Sequence, residues 1–331
     1  MSMQTIPLVL AGYGNVGRAF YKLIQEKRPM LLDRFGLDLG VQAVVRSRGG
    51  RVSAGALQGP LNNQDWEPGV KLEDVLRHLK AGVFVECLSS TLKTGEPALS
   101  AVRRALNLGW NVAAASKGPL VVDFKGLRDL AHEKSAQLKY SAAAGAALPA
   151  LDIGLRSLAG TELLGLEAIL NGTSNYILTR MMEGLEYEAA LLEAQSKGIA
   201  EPDPQMDVEG WDAASKLLII VNAMLDTDYA LDDVRVEGIA DFLKFAMRRA
   251  KAEGKKMKLL ARLKRRGESA VLSVGPELLD SSHPLFSVDG TNKGITYSTD
   301  SMGMLTVMGG KSDPRGAAAA LLKDIIGMFV A

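Results

Sequence analysis

Residues 6–17 read Ile6-Pro7-Leu8-Val9-Leu10-Ala11-Gly12-Tyr13-Gly14-Asn15-Val16-Gly17, an apolar run of strand length that passes directly into G-x-G-x-x-G. Each glycine of such a turn has its own duty. The first permits the tight turn, the second lets the backbone approach a pyrophosphate, and the third lets the next helix pack closely on the strand. The helix then presents its N-terminus to the phosphates, where unpaired N–H groups and the helix dipole favour negative charge. A glycine fingerprint alone is a weak signal. Here the strand before it and the helical pattern Val16 to Lys27 after it predict a dinucleotide-binding turn.

Outward from that turn, short β-rich runs recur at Val41 to Val45, Val83 to Leu88, Asn111 to Ala114 and Leu138 to Ser141. Helical patterns at Leu72 to Leu79, Gly95 to Leu108 and Gly126 to Lys134 lie between them. Strands that alternate with helices predict β-α-β units and a parallel sheet, hence an α/β fold of Rossmann type. After Pro149 the texture changes to long amphipathic segments, with Tyr187 to Lys197 and Trp211 to Leu225 as the clearest helices. Glu201-Pro202-Asp203-Pro204 separates them, since a residue before proline is driven out of the helical basin. The basic stretch Lys244 to Arg266 reads as a solvated helix face with no partner assigned. The Gly-rich Met308 to Gly316 and a helical run from Ala317 to Val330 end the sequence. A length of 331 residues suits two domains at roughly 150 residues each.

Composition narrows the chemistry. With 39 Lys+Arg against 38 Asp+Glu and a net charge of +1, there is no electrostatic case for binding nucleic acid or a membrane surface. One cysteine, Cys87, excludes an internal disulfide framework and a Cys-based zinc cluster, and fits a reducing compartment. His78, His132 and His283 stand far apart, without the i, i+4 spacing of a helical metal site. No long uncharged stretch and no basic-then-apolar N-terminus is present, so a cytoplasmic location is expected. Catalysis then falls to Lys, Asp and Glu side chains and a bound cofactor.

Cofactor choice is addressed at the end of the second strand. An NAD site usually offers an acid to the ribose hydroxyls there, whereas this chain has Val45-Arg46-Ser47-Arg48. Arginine forks match phosphate oxygens, so Arg46 and Arg48 favour NADP and its 2′-phosphate over NAD. A second constellation follows the Pro-rich loop. Asp212 and Lys216 are i, i+4 on a helix that continues as Leu217-Leu218-Ile219-Ile220-Val221, so the pair sits on one face of a buried helix. A lysine at such an edge has surroundings suited to proton transfer.

Gly12 to Arg18, Asn171-Gly172-Thr173-Ser174-Asn175-Tyr176-Ile177-Leu178 and Glu201-Pro202-Asp203-Pro204 with Asp207 to Ala213 and Lys216 together resemble the homoserine dehydrogenase family. The resemblance extends to Ala115-Ser116-Lys117-Gly118-Pro119-Leu120, to Gly145 to Pro149 and to the terminal Gly-rich turn, nearly the whole chain. It implies NAD(P)-dependent interconversion of L-homoserine and L-aspartate 4-semialdehyde. Lys216 matches the proton donor to the carbonyl oxygen, Asp212 holds its ammonium and contacts substrate, and Lys117 is a second lysine of that pocket. Glu201 and Asp207 match the acids around the substrate's amino group, and Thr173 lines the same pocket. Cofactor contacts are implied for Gly12, Tyr13, Gly14, Asn15, Val16, Gly17, Arg46, Arg48, Ser89, Ser90, Lys117 and Gly309. The family's fold adds an antiparallel sheet with helices, dimerises through that second part and returns its last helix to the nucleotide domain. The implied domains are residues 1–140 with 305–331 for the cofactor, and 141–304 for catalysis and dimerisation.

The chain departs from the family pattern at three places. Ser141 stands where the family has a Glu associated with a monovalent cation; the carbonyls of Ala144, Ala146 and Leu148 are left as candidate ligands, and no metal is assigned. Ser116 replaces an Asn before the pocket lysine, and Ile199 replaces a Tyr near the substrate loop, which removes polar contacts there. The expectation is an unregulated short-form enzyme. Two other readings make different predictions: a reductase of another small amino-acid-like aldehyde, and a catalytically silent dinucleotide-binding regulator.

Overall fold

The structure is a computed structural model that describes residues 3–239, 247, 250, 252–266, 269–310 and 312–330. It divides into two compact units, Met1–Ala146 with Asp313–Ala331, and Ala147–Ser312.

The first unit is built on six strands in the order β3-β2-β1-β4-β5-β6. They are β1 (Gln4–Ala11), β2 (Leu37–Arg46), β3 (Gly49–Val52), β4 (Val83–Glu86), β5 (Asn111–Ala114) and β6 (Leu138–Lys139). All pair in parallel except β3, which folds back antiparallel on β2. The all-parallel expectation fails there because Ser47-Arg48-Gly49-Gly50 makes a hairpin. Gly49 has φ 130°, and a Cβ on it would lie 2.3 Å from the Glu67 carbonyl oxygen, so only glycine fits.

Helices α1 (Asn15–Phe35), α2 (Leu72–His78), α3 (Ala98–Asn107), α4 (Gly118–Val122), α5 (Phe124–Glu133) and α6 (Ser141–Ala144) complete this unit with the C-terminal helix Pro314–Phe329. α1 runs past Pro29 and beyond the expected Lys27, ending at Gly36, whose left-handed backbone (φ 67°) lets its N–H close the last turn on Leu31 and Leu32. Its inner face buries Phe20, Leu23, Ile24 and Leu31 against Leu8 and Leu10 of β1 and Ala318, Leu321 and Ile325 of the C-terminal helix.

The second unit holds a sheet ordered β12-β11-β7-β9-β10-β8. Its strands are β7 (Leu163–Ile169), β8 (Val234–Val236), β9 (Lys256–Arg266), β10 (Ser269–Leu279), β11 (Lys293–Thr299) and β12 (Met304–Gly309). Pairing is antiparallel except for β8 on β10. The helices are α7 (Ala150–Asp152), α8 (Gly172–Met182), α9 (Tyr187–Ser196), α10 (Gln205–Val208) and α11 (Trp211–Leu225). α8 and α11 pack on β9, and α11 also on β10, covering buried Ala261, Leu263, Leu272 and Val274.

Two boundaries differ from the sequence-based ones. Lys256–Arg266 is a strand and not a helix face: Met257, Leu259, Ala261 and Leu263 share one buried face, and Lys258 and Leu260 are buried on the other, which the charge count conceals. Residues 244–246, 248, 249 and 251 of the basic stretch lie outside the described residues. β12 lies in the second unit, where the sequence placed residues 305–331 with the first, because Lys293 to Ser298 of β11 pair with it along their length. Among the described residues no helix is long and apolar enough to cross a membrane.

Candidate active site

In the first unit the glycine turn has the form a dinucleotide needs. Gly12 adopts φ 93°, and a Cβ on it would lie 2.1 Å from the Cys87 carbonyl oxygen; one on Gly17 would lie 2.1 Å from that of Gly12. Gly14 has nothing within 4 Å of a Cβ position, and it caps α1 without a side-chain hydrogen bond. The first N–H groups of α1 are therefore open to a ligand, and the residues fit a pyrophosphate.

A cleft of about 740 Å³ at the carboxyl ends of these strands is lined by Gly12, Tyr13, Gly14, Arg46, Ser47 and Ser89 among others. Asn15 is exposed and Val16 half-buried at the start of α1. Arg48 is exposed in the β2–β3 turn, outside the cleft lining. Ser90 accepts the Gly118 N–H at 3.1 Å, and Lys117, half-buried, caps the start of α4.

One residue of this unit escaped the sequence reading. Glu86 ends the otherwise apolar β4 and is fully buried. Its carboxylate accepts from the Leu88 N–H at 2.6 Å and from the Ser116 N–H and hydroxyl at 3.1 and 2.7 Å. Burial raises its pKa, against the lowering effect of those donors. A charge closing an apolar strand was the available signal.

In the second unit the acids and the lysine converge on Asn171. Asn171 caps α8: its side-chain oxygen accepts the Ser174 N–H at 2.7 Å. Its side-chain N–H₂ donates to Asp207 at 2.6 Å and to Asp212 at 2.7 Å. Lys216 Nζ donates to the same Asp212 oxygen at 2.6 Å and to the Leu170 carbonyl at 3.1 Å. The Lys216 and Asp212 side chains are 16% and 11% exposed, so this is a half-buried pair and not a solvated one. The predicted i, i+4 partnership is realised on α11, whose start and end match the sequence reading.

Thr173, one residue inside α8, donates to the Ile199 carbonyl at 3.1 Å. Asp207 is held by α10, which the Pro-rich loop precedes. Burial raises its pKa, the Asp212 charge adds to this, and Asn171, Thr173 and Lys216 oppose it. Glu201 is exposed, with its carboxylate outside this chain of hydrogen bonds. Gly309 ends β12 in this unit. Asn171 stood inside a recognised motif without a role; its signal was the residue type, since Asn is among the residues that most often cap a helix. Among the described residues no group of three or more His, Cys, Asp or Glu could hold a metal ion.

The family model for homoserine dehydrogenase matches residues 149–326. A homoserine dehydrogenase from Methanocaldococcus jannaschii is 32% identical over 97% of this chain and 98% of its own length. The chain belongs to the homoserine dehydrogenase family. An NAD(+)-dependent homoserine dehydrogenase from Pseudomonas canavaninivorans is 31% identical, over 98% of this chain and 96% of its own. A crystal structure from Archaeoglobus fulgidus superposes with a TM-score of 0.88 at 32% identity, over 98% of this chain and all of that one. The homoserine dehydrogenase of Thiobacillus denitrificans gives 0.87 at 25% identity, over 98% of this chain and 73% of that one. As a member of the homoserine dehydrogenase family, the chain is a nicotinamide-dependent oxidoreductase acting on a CH–OH group.

Two departures from the family pattern have a local explanation. Ser116 has a polar role of its own: its hydroxyl and N–H hold Glu86. Ser141 donates its N–H and hydroxyl to Asp324 of the C-terminal helix at 2.8 and 2.7 Å, and its oxygen accepts from Lys323 at 2.7 Å.

Proposed function

We propose that this chain interconverts L-homoserine and L-aspartate 4-semialdehyde, preferring NADP to NAD, as a cytoplasmic homodimer serving threonine and methionine formation. The observation that carries the substrate reading is the linked set Asn171, Asp207, Asp212 and Lys216. An ammonium has three N–H donors, and two of those on Lys216 are spent on Asp212 and the Leu170 carbonyl. The third remains for a substrate oxygen. Lys216 therefore hydrogen-bonds the carbonyl oxygen and donates a proton as charge develops there, or takes the hydroxyl proton in the reverse direction. Asp212 fixes the ammonium and Asn171 holds Asp212 and Asp207 at one distance from each other.

Asp207, with Glu201, binds the substrate's amino group, and Thr173 holds the Ile199 backbone beside it. Lys117 adds a cation for the substrate and shares in the proton transfer. The nicotinamide, when bound, supplies or accepts the hydride. Arg46 and Ser47 in the cleft support NADP, Arg48 by its charge in the same turn. For the dimer, the support is the solvent-facing side of the second sheet, where Val271, Lys264, Gly165, Ser298 and Met304 form one cross-strand row with an exposed apolar side chain at each end. Val271 and Met304 are 48% and 69% exposed.

Oxidation of L-homoserine, assayed with NADP and with NAD, tests the reading. Turnover that is lost in Lys216→Ala while cofactor affinity persists is the expected result. NADP binding without any homoserine oxidation would overturn it. A reductase of another aldehyde would leave homoserine untouched, and a silent regulator would turn over nothing.

A further inference from the structure

Arg46 is held differently from its neighbours. Arg28 donates to Asp38 at 2.8 Å, Arg51 to Glu67 at 2.7 Å and Arg104 to Glu73 at 2.7 Å. The Arg46 guanidinium instead lies 4.0 Å from the centre of the Trp66 ring, and its buried Nε has no hydrogen-bond partner. A guanidinium stacked on an indole keeps its charge and its terminal N–H groups for another anion, whereas one bridged to a carboxylate spends them.

Trp66 is itself fixed by the fold. It follows a 3-10 turn, Asn63–Asp65, whose Asp65 carboxylate accepts the Asn62 N–H. The next residue, Glu67, exchanges backbone hydrogen bonds with Gly50 at 2.8 and 3.0 Å. This segment lies so close on the hairpin that Gly49 has no room for a side chain. The Tyr13 ring meets Trp66 edge-on, at 5.1 Å and 62°. Two clefts meet at this stack. Tyr13 and Arg46 line both the 740 Å³ cleft of the glycine turn and a second of about 710 Å³, to which Arg18, Lys22 and Trp66 contribute. Arg46 ends β2, the strand end at which a dinucleotide's ribose is recognised, and the second cleft adds the charges of Arg18 and Lys22 beside it.

We propose that Trp66 is the positioning residue for cofactor choice: its indole fixes the plane of the Arg46 guanidinium so that a 2′-phosphate is recognised. The inference rests on the NADP reading above. Its test is fluorescence titration of the full-length wild type, Trp66→Leu, Trp66→Phe and Arg46→Leu with NADPH and with NADH, which requires no turnover. The wild type is expected to prefer NADPH and Arg46→Leu to lose that preference. Trp66→Leu should weaken NADPH binding by roughly twofold to thirtyfold, the range of a cation–π contact, and leave NADH binding unchanged. Trp66→Phe should restore most of the loss. Retained NADH binding also shows that the variants fold. Equal weakening of both cofactors by Trp66→Leu, or no effect on either, overturns the inference while a selective Arg46→Leu keeps the NADP reading. A wild type without preference, or a non-selective Arg46→Leu, overturns both.

Discussion

Lys216 and Asp207 show how much one side chain's partners decide. Lys216 has one N–H left after Asp212 and Leu170 are served, so its replacement by Met keeps the length of the side chain and removes the proton. kcat in Lys216→Met should fall by about 10²–10⁴-fold, the usual worth of a positioned general acid, with the cofactor's Kd unchanged; steady-state kinetics and a binding titration read the two separately. Asp207 has a raised pKa because it is buried beside Asp212. In the proposed reading its ionised form binds the substrate ammonium, so kcat/KM for homoserine should fall on the acid side at a pH above that of an ordinary carboxylate, about 4. In Asp207→Asn this limb should disappear and KM should rise. For stability the sign is reversed. A carboxyl with a folded pKa above its unfolded value stabilises at low pH, and that contribution is lost as pH rises through the folded value. Denaturant melts at neutral pH should therefore find Asp207→Asn at least as stable as the wild type.

At the scale of elements, the ends of β4 and β5 are joined by a side chain. The Ser116 hydroxyl, just after β5, reaches the Glu86 carboxylate at the end of β4 at 2.7 Å. Ser116→Ala leaves a buried carboxylate short of one donor, and a hydrogen bond to a charged group is worth about 1.5–3 kcal/mol. Chemical denaturation should show a loss of that size, and Ser116→Thr should recover much of it. A loss below about 0.5 kcal/mol would mean that water replaces the hydroxyl. Legibility in sequence also differed by element. Trp211–Leu225 was readable to its ends because a glycine precedes it and a long apolar face runs through it. β3 was not, since Gly49 and Gly50 read as a loop until Glu67 is found against them. Lys256–Arg266 misled because its charge count hides a strand whose residues Met257 to Ala261 are all buried, Lys258 among them.

For the whole molecule, the second sheet is covered by helices on one face and leaves Val271 and Met304 exposed on the other. A sheet face open to solvent offers a surface for a second copy, and a twofold interface uses the same surface on both copies. Light scattering after gel filtration should give twice the 35.4 kDa of the chain, and Val271→Asp with Met304→Asp should give the single-chain mass. A wild type that is monomeric at micromolar concentration would refute the dimer.

The sequence by itself determined the nucleotide unit, the buried α11 and the Asp212–Lys216 pair, because each rests on local periodicity, a glycine's backbone freedom or a spacing of four residues. Only the tertiary structure decided that Asn171 joins Asp207 to Asp212 across 36 and 41 residues of chain, that Ser116 serves Glu86, and that Trp66 lies on Arg46. These contacts link positions far apart in sequence. Polar atoms taken out of water must find partners wherever the fold brings them, and no local pattern along the chain records which partner that will be.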